Sequence, residues 1–397
     1  MAAPASKVKP VAAALPLLVT NETELARAVA HLERAACIAF DLEANGLFAY
    51  RAKVCIVQLA TTDAIFVVDA LATSLRPLEP LLRSSDVLKI VHDVAFDARL
   101  LAEAGAELAN VHDTSIAARM LGRTATGLAS LLLSEVGVGI DKSMQQHDWG
   151  KRPLDDAALG YLACDVVHLH ALESKLWPLL HACHIDDEVE EETRYRLAQA
   201  AGSAKMNDGR PPYLRLKGID RADAADLPIL RRLAELREAR ARELDVPPYK
   251  VLGPDVLFAI AQNKPKTPDD LECISGAAAG RARSLTREIL RAVEDGVRDG
   301  AIPEEDRAML VRPSLPNAVV RARRARERRL MCWRKDVAKR RAVDDQVVLP
   351  GHCLQDLASL SLPSLDAIAA VPGIGRFRVE RDGAALLAVL LAEETEG

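Results

Sequence analysis

The hydrophobic pattern of this chain changes character about halfway along. Over the first 175 residues, short apolar runs alternate with helical stretches. Residues 37–43 place Ile38, Phe40 and Leu42 on one face and Ala39, Asp41 and Glu43 on the other. That period of two predicts a strand. Residues 54–60 and 65–68 repeat the signal in quick succession, so three sequential antiparallel strands are expected. Before them lies the short apolar run Leu17, Leu18, Val19. Asn21, with Glu24 three residues later, then reads as a helix start with a capping box. A fourth strand over 88–91 feeds a helix around 95–104, and further helices begin near Thr114, Gly127 and Pro153. The pattern predicts an α/β domain with a mixed sheet over residues 17–201, behind an N-terminal tail, 1–16.

Residues 202–223 are rich in Gly and Pro and read as a linker. Beyond it the apolar spacing is helical only. Leu230, Leu233, Leu236 and Leu244 form a stripe, and Thr267-Pro268-Asp269-Asp270 opens a helix with Pro at its first position. An internal repeat follows at a shift of 97 residues. Leu233 matches Leu330, Val251-Leu252 matches Val348-Leu349, Leu257 matches Leu354, and Ile260 matches Leu357. Thr267 then matches Ser364, Leu271 matches Ile368, Ile274 matches Val371 and Gly276 matches Gly373. One gap-free offset held this long predicts two tandem all-helical domains, 224–298 and 317–394.

Composition adds three constraints. With 397 residues, 49% hydrophobic and 27% charged, the chain can fill several cores. No apolar run reaches the roughly 18 residues of a membrane span. The best stretch, 11–19, is short, interrupted by Pro16, and read as the tail entering the first strand. Seven scattered cysteines without a C-x-x-C pair argue against a disulfide framework or zinc ribbon and suit a reducing cytoplasm. The net charge of −5 hides an asymmetry: residues 1–210 carry net −8, and residues 321–341 carry eleven Lys or Arg against two acids.

Asp41 and Glu43, two apart on a strand, put two carboxylates side by side. Keeping both ionised needs a cation, and carboxylate oxygens suit Mg²⁺ or Mn²⁺. Asp97 follows the fourth strand in the run His92-Asp93-Val94-Ala95-Phe96-Asp97. Tyr161 and Asp165 share a face of a helix that is otherwise apolar around them. An aspartate on such a helix is expensive unless paired or metal-bound.

Taken together, D-x-E on a first strand, F-D after a later one and Y-x-x-x-D on a late helix resemble the DEDD 3′–5′ exonucleases, in their tyrosine-containing branch. Within them the chain is similar to the ribonuclease D family. The likeness extends to Tyr50-Arg51-Ala52-Lys53-Val54-Cys55-Ile56-Val57-Gln58-Leu59, Asp113-Thr114, Lys142, Gln145, Asp148-Trp149, Arg152-Pro153-Leu154 and the run from Tyr161 to Val166. The two repeats resemble helicase-and-RNase-D C-terminal (HRDC) domains, Pro247-Pro248-Tyr249-Lys250-Val251-Leu252 being typical of the first. Two positions depart from the family: Leu42 stands where Thr is usual, and the first repeat reads Ser275-Gly276-Ala277-Ala278-Ala279-Gly280 in place of P-G-x-G. The second keeps Pro372-Gly373-Ile374-Gly375.

The resemblance implies an RNase H-like (DnaQ-like) mixed-sheet exonuclease domain followed by two small helical domains. It implies two divalent ions, Mg²⁺ or Mn²⁺, on Asp41, Glu43, Asp97 and Asp165, with Tyr161 orienting the attacking water. The implied reaction releases nucleoside 5′-monophosphates from RNA 3′ ends, transfer-RNA precursors above all, in the cytoplasm and with no obligate protein partner or membrane. A DNA exonuclease and an inactive nucleic-acid scaffold are the alternatives. Substrate contacts are expected from Tyr50, Arg51, Lys53, His92, Lys142, Trp149, Lys151 and Arg152. Weaker RNA contacts are expected from Gly373 and Gly375, whose turn could offer backbone N–H groups to phosphate, and from Arg328, Arg329, Arg334 and Lys335.

Overall fold

The computed structural model describes residues 15–205, 209–277, 279–310 and 315–392. Most of the expected tail, residues 1–14, lies outside these, as do 206–208 of the expected linker, Ala278 of the first glycine turn, and 393–394. The chain divides into two compact units. One comprises Met1–Glu43, Val54–Lys205 and Leu315–Gly397; the other comprises Ala44–Lys53 and Met206–Ser314.

A six-stranded sheet centres the first unit. Its strands are β1 (Leu17–Val19), β2 (Cys37–Ala44), β3 (Val54–Ala60), β4 (Ile65–Asp69), β5 (Leu88–Val91) and β6 (Val111–Asp113). Their spatial order is β1-β4-β3-β2-β5-β6. β3 and β4 are antiparallel, while β1 with β4, β2 with β5, and β5 with β6 are parallel, so the sheet is mixed. Around it stand α1 (Glu22–Leu32), α2 (Glu79–Arg83), α3 (Val94–Glu103), α4 (Thr114–Met120), α5 (Leu128–Leu131), α6 (Asp156–Val167), α7 (Leu169–Cys183) and α8 (Asp186–Lys205).

Local chemistry explains the helix starts. Asn21 Oδ1 accepts from Glu24 N–H, and Asp155 caps α6 by accepting from Ala158 N–H. Asp113 is the most heavily used cap. One carboxylate oxygen accepts from the N–H groups of Asp93, Ser115 and Ile116, the other from Val94, so a buried acid ties the starts of α3 and α4 together. The apolar face of α6 covers the sheet face that carries Asp41 and Glu43: Ala163 and Val166, with Leu169 at the start of α7, cluster with Ala39, Ala60, Ile65 and Ile90. No disulfide joins the described cysteines. No described helix is long and apolar enough to cross a membrane.

C-terminal to β6 every described element is helical: α9 (Leu227–Glu243), α10 (Pro254–Asn263), α11 (Pro268–Glu272), α12 (Thr286–Asp299), α13 (Glu304–Leu310), α14 (Asn317–Arg341), α15 (Asp345–Val348), α16 (Gly351–Ala358), α17 (Leu365–Ala369) and α18 (Arg376–Leu391). The 97-residue repeat is physical. Leu233 and Leu330, Ile260 and Leu357, and Leu271 and Ile368 are all fully buried at equivalent places. Thr267 and Ser364 both cap a short helix, and Gly276 and Gly373 both take φ near +80°. One further match had no apolar signal to expose it: Arg237 and Arg334, 97 apart, are both buried.

The stretch 202–223 is less of a linker than its composition suggests. α8 runs to Lys205, and Tyr213, Leu214, Leu216 and Ile219 are buried in the core of the first repeat. Turn-forming residues set the bends there, while the apolar residues between them pack. The two repeats also differ in where they belong. The first builds its own core in the second unit. The second lies in the first unit, where Val347 joins the cluster of Ile116, Leu176, Ile185 and Val189.

Candidate active site

Asp41 and Glu43 point from the end of β2 into a cleft of about 540 Å³ that is also lined by His92, Asp93, Ser115, Thr126, Gln145, Tyr161 and Asp165. Asp97, on the first turn of α3, is buried behind them, near enough to Asp41 for each to act on the other's titration. Strand alternation aims the two β2 acids at α6, and i, i+4 spacing aims Tyr161 and Asp165 back at them.

All four carboxyls are held far from their ordinary behaviour, and burial is the main cause each time. Asp41 is raised well above the usual range by burial and then by Asp165. Glu43 is pushed up to about 9 by burial, Asp41 and Asp165. Asp97 is raised by burial, Asp41 and Glu43, and Asp165 is raised to about 7 by burial. Among the described residues no Lys, Arg or His offsets any of the four. Like charges this close either share protons or take up a cation. An all-oxygen carboxylate set is the donor chemistry of Mg²⁺ and Mn²⁺, so the residues present fit a divalent ion. The described side chains form no finished ion cage as they stand. Tyr161 has its hydroxyl pKa raised by burial and then by Asp165, so it keeps its proton at neutral pH.

The model for 3′-5′ exonuclease domains matches residues 16–181, and the HRDC domain model matches 226–293 and 323–390. Ribonuclease D of Gluconacetobacter diazotrophicus is 30% identical over 299 residues, covering 74% of this chain and 75% of the relative. That of Nitrobacter hamburgensis is 31% identical, covering 70% and 74%. The chain belongs to the ribonuclease D family. The Escherichia coli RNase D structure, at 23% identity, has the same fold (TM-score 0.68, covering 94% of this chain and 98% of that one). A protein from Bifidobacterium adolescentis, at 20% identity, matches at TM-score 0.77 over 96% and 99%.

Several residues expected to touch substrate in this ribonuclease D-type chain are occupied elsewhere. Trp149 is 1% exposed, packed among Cys55, Ile56, Val67, Ala158 and Leu162, so it offers no stacking platform. It serves the site from behind: its ring lies 5.7 Å from that of Tyr161, and its indole N–H, which has no well-aligned partner, lies beside Glu43 and helps hold that carboxyl down. Arg152 is bidentate on Asp69 (2.5 and 2.6 Å) and donates to the carbonyls of Trp149 and Cys55, so it staples the loop before α6 to the sheet. Tyr50 is engaged by the first repeat, as described below.

The second repeat brings three more corrections. Arg334 is 8% exposed, pairs with Asp345 at 2.7 Å and donates to Leu349 O. Arg329 donates to the carbonyls of Val389 and Leu390 at the end of α18. The turn of Gly373 and Gly375 is half-buried, with one side against α8 and α16. A Cβ at Gly373 would sit 2.6 Å from His352 Nε2 and 2.9 Å from Tyr195, and one at Gly375 would sit 3.0 Å from Glu191. Close packing and the positive φ of 78° and 74° both call for glycine at these positions.

Other expected residues stay accessible. Arg51, Lys53, Lys142, Lys151, Arg328 and Lys335 are exposed. His92 sits on the cleft wall, its Nδ1 2.9 Å from Thr114 Oγ1, and burial lowers its pKa so that it is neutral. Sequence reasoning missed Asp93 as a wall residue. The signal was available, because Asp is one of the few residues that tolerate the left-handed φ of 63° that starts α3. Gln145 lines the cleft too.

Proposed function

We propose that this chain is a metal-dependent 3′–5′ exoribonuclease that trims RNA 3′ ends, transfer-RNA precursors among them. The supporting observation is a cluster of four crowded carboxyls with no protein cation opposite, Asp41, Glu43 and Asp165 lining a cleft alongside a protonated tyrosine and Asp97 buried behind them. Asp41, Glu43, Asp97 and Asp165 would hold two divalent ions, Mg²⁺ or Mn²⁺. When bound, such ions make hydroxide available near neutral pH and neutralise charge developing on the attacking and leaving oxygens. The Tyr161 hydroxyl donates a hydrogen bond that positions the water for in-line attack on the terminal phosphate; with its raised pKa it does not act as a base. Trp149 and Arg152 keep Glu43 and the α6 start in place. Water enters the phosphorus centre, the 3′-oxygen leaves with a proton, and a nucleoside 5′-monophosphate departs.

RNA beyond the cleft would meet the basic face of α14. Arg323, Arg326, Arg329, Arg334 and Arg341 are committed to protein partners. Arg321, Arg324, Lys335 and Lys339 are exposed and lie along one stripe, with the exposed but partnered Arg328 among them, about 27 Å long at 1.5 Å per residue.

The test is degradation of matched 5′-labelled RNA and DNA with Mg²⁺ or Mn²⁺, with Asp165→Ala alongside. Laddering from the RNA 3′ end, abolished by EDTA and by the substitution, is expected. Preferential cutting of DNA, or binding without cutting, would overturn the reading.

A further inference from the structure

The segment 44–53 leaves β2 one residue after Glu43 and returns as β3, yet it belongs to the second unit. Its neck is closed by Asn45, whose N–H donates to Lys53 O and whose Oδ1 accepts from Lys53 N–H at 2.9 Å. Its tip is gripped by the first helical repeat. The Tyr50 N–H donates to Asp245 Oδ1 at 3.1 Å, and the Tyr50 hydroxyl donates to Glu238 at 3.0 Å. Arg242 lies 5.3 Å above the Tyr50 ring and donates to its hydroxyl. Lys250 sits 4.4 Å over the Phe48 ring, and the Tyr249 hydroxyl donates to Leu47 O. Glu238 is itself braced by the buried Arg237 at 3.0 Å. Two cation–π contacts and four hydrogen bonds thus converge on one short loop.

A hairpin tip needs no such grip for its own sake. Its consequence falls on the residue at its neck. We propose that the first repeat is a positioning element for the nuclease site: by holding loop 44–53 through Tyr50, it fixes the exit of β2 and with it the direction of Glu43. Tyr50 and Glu238 are positioning residues in this scheme and touch no substrate. The inference rests on the exonuclease reading for its kinetic consequence, but its mechanical part stands apart from it.

The experiment uses the full-length chain with Tyr50→Phe, Glu238→Gln and the double substitution. Phe keeps the ring under Arg242 and removes only the hydroxyl. Amide hydrogen exchange should quicken in 44–53 and also at the end of β2, residues 41–44, with melting temperature nearly unchanged. On a short labelled oligoribonucleotide kcat should fall roughly tenfold at constant KM, since small misplacement of a reacting group is costly. The double variant should be no worse than Tyr50→Phe alone, because loss of the hydroxyl already breaks the bond to Glu238 together with the one from Arg242. Lys250→Met, which loosens the same loop from outside the hydroxyl pair, should give a smaller fall of the same kind. Unchanged exchange at 41–44 overturns the proposal whether or not the wild type cuts RNA. So does unchanged kcat beside loosened exchange, or a rise in KM alone, which would make the loop a substrate contact. If the wild type cuts neither RNA nor DNA, the exonuclease reading fails while the exchange result still decides the clamp.

Discussion

Two parts of the first unit face the same physical problem and solve it differently. Both the cleft and the seam between α8 and the second repeat bury carboxylates. At the seam Glu188, 1% exposed, receives Arg341 at 2.9 Å and Arg381 at 2.8 Å on one oxygen, and beside it Tyr195 and His352 stack at 3.8 Å. The protein supplies its own counter-charge there. At the cleft four carboxyls crowd together with none. Buried charge left uncompensated is costly, so the first arrangement reads as assembly and the second as a site whose missing charge comes from outside.

The largest expected effect tests that contrast directly. Asp165→Asn should lower kcat by about 10³-fold or more, as loss of a metal ligand removes transition-state stabilisation. In the cation-free protein the same change should raise the melting temperature at pH 8, because it deletes a repelling charge. Single-turnover kinetics and calorimetry on one preparation check both. A fall in both activity and apo stability would mean that the cleft is held together like the seam.

Next comes pH. Asp165 and Glu43 carry folded pKa values of about 7 and 9 against ordinary values of 3.8 and 4.5, so the folded state binds more protons than the unfolded one between those limits. Stability without metal should therefore fall as pH rises from about 5.5 to 8.5, by on the order of 2–4 kcal/mol across the cluster. Added Mn²⁺ should flatten the slope and release protons on binding, measurable by titration calorimetry in two buffers of different ionisation enthalpy. A flat apo profile would contradict the crowding.

At the seam the signs reverse. Glu188→Ala strands two guanidinium groups. Breaking a buried pair costs about 3–5 kcal/mol; with Arg381 34% exposed, we expect nearer 2–3 kcal/mol, seen as a lower melting temperature by about 5–10 °C. Turnover per folded molecule on a short substrate should be unchanged. Loss of turnover in the folded protein would move the seam into the catalytic machinery.

What the sequence disclosed follows the same division. Five of the six strands, the helix starts at Asn21, Thr114 and Thr267, and the repeat were legible because apolar period and capping chemistry are local; β6, three residues long, is too short to show a period. The five residues Asp41, Glu43, Asp97, Tyr161 and Asp165 were legible only as a set, through their joint resemblance to the exonuclease motifs; each alone has an ordinary structural reading. The uses of Arg152, Arg329 and Arg334 were not. An arginine in a basic loop or helix looks the same in sequence whether it faces water or a distant oxygen, and Asp69, Val389 and Asp345 become partners of Arg152, Arg329 and Arg334 only through tertiary packing. Trp149 was ambiguous for the same reason, since an indole beside Lys151 and Arg152 can stack on a base or fill a core.

The smallest effect separates two neighbours on α14. Arg334 and Lys335 are adjacent in sequence and 100° apart on the helix, which turns one into the core and the other to solvent. Lys335 stands on the exposed basic stripe with Arg328 and Lys339. If that stripe tracks RNA phosphates, Lys335→Gln should leave the melting temperature alone and weaken binding of a single-stranded RNA about three- to fivefold near 0.1 M salt. The slope of log affinity against log salt should become shallower by about 0.7, the share of one phosphate contact. Turnover of a substrate too short to reach the stripe should not change. Equal weakening at all salt concentrations would point to a lost shape contact instead, and no weakening would reduce the stripe to a solvated helix face, leaving the seam as the whole purpose of the second repeat.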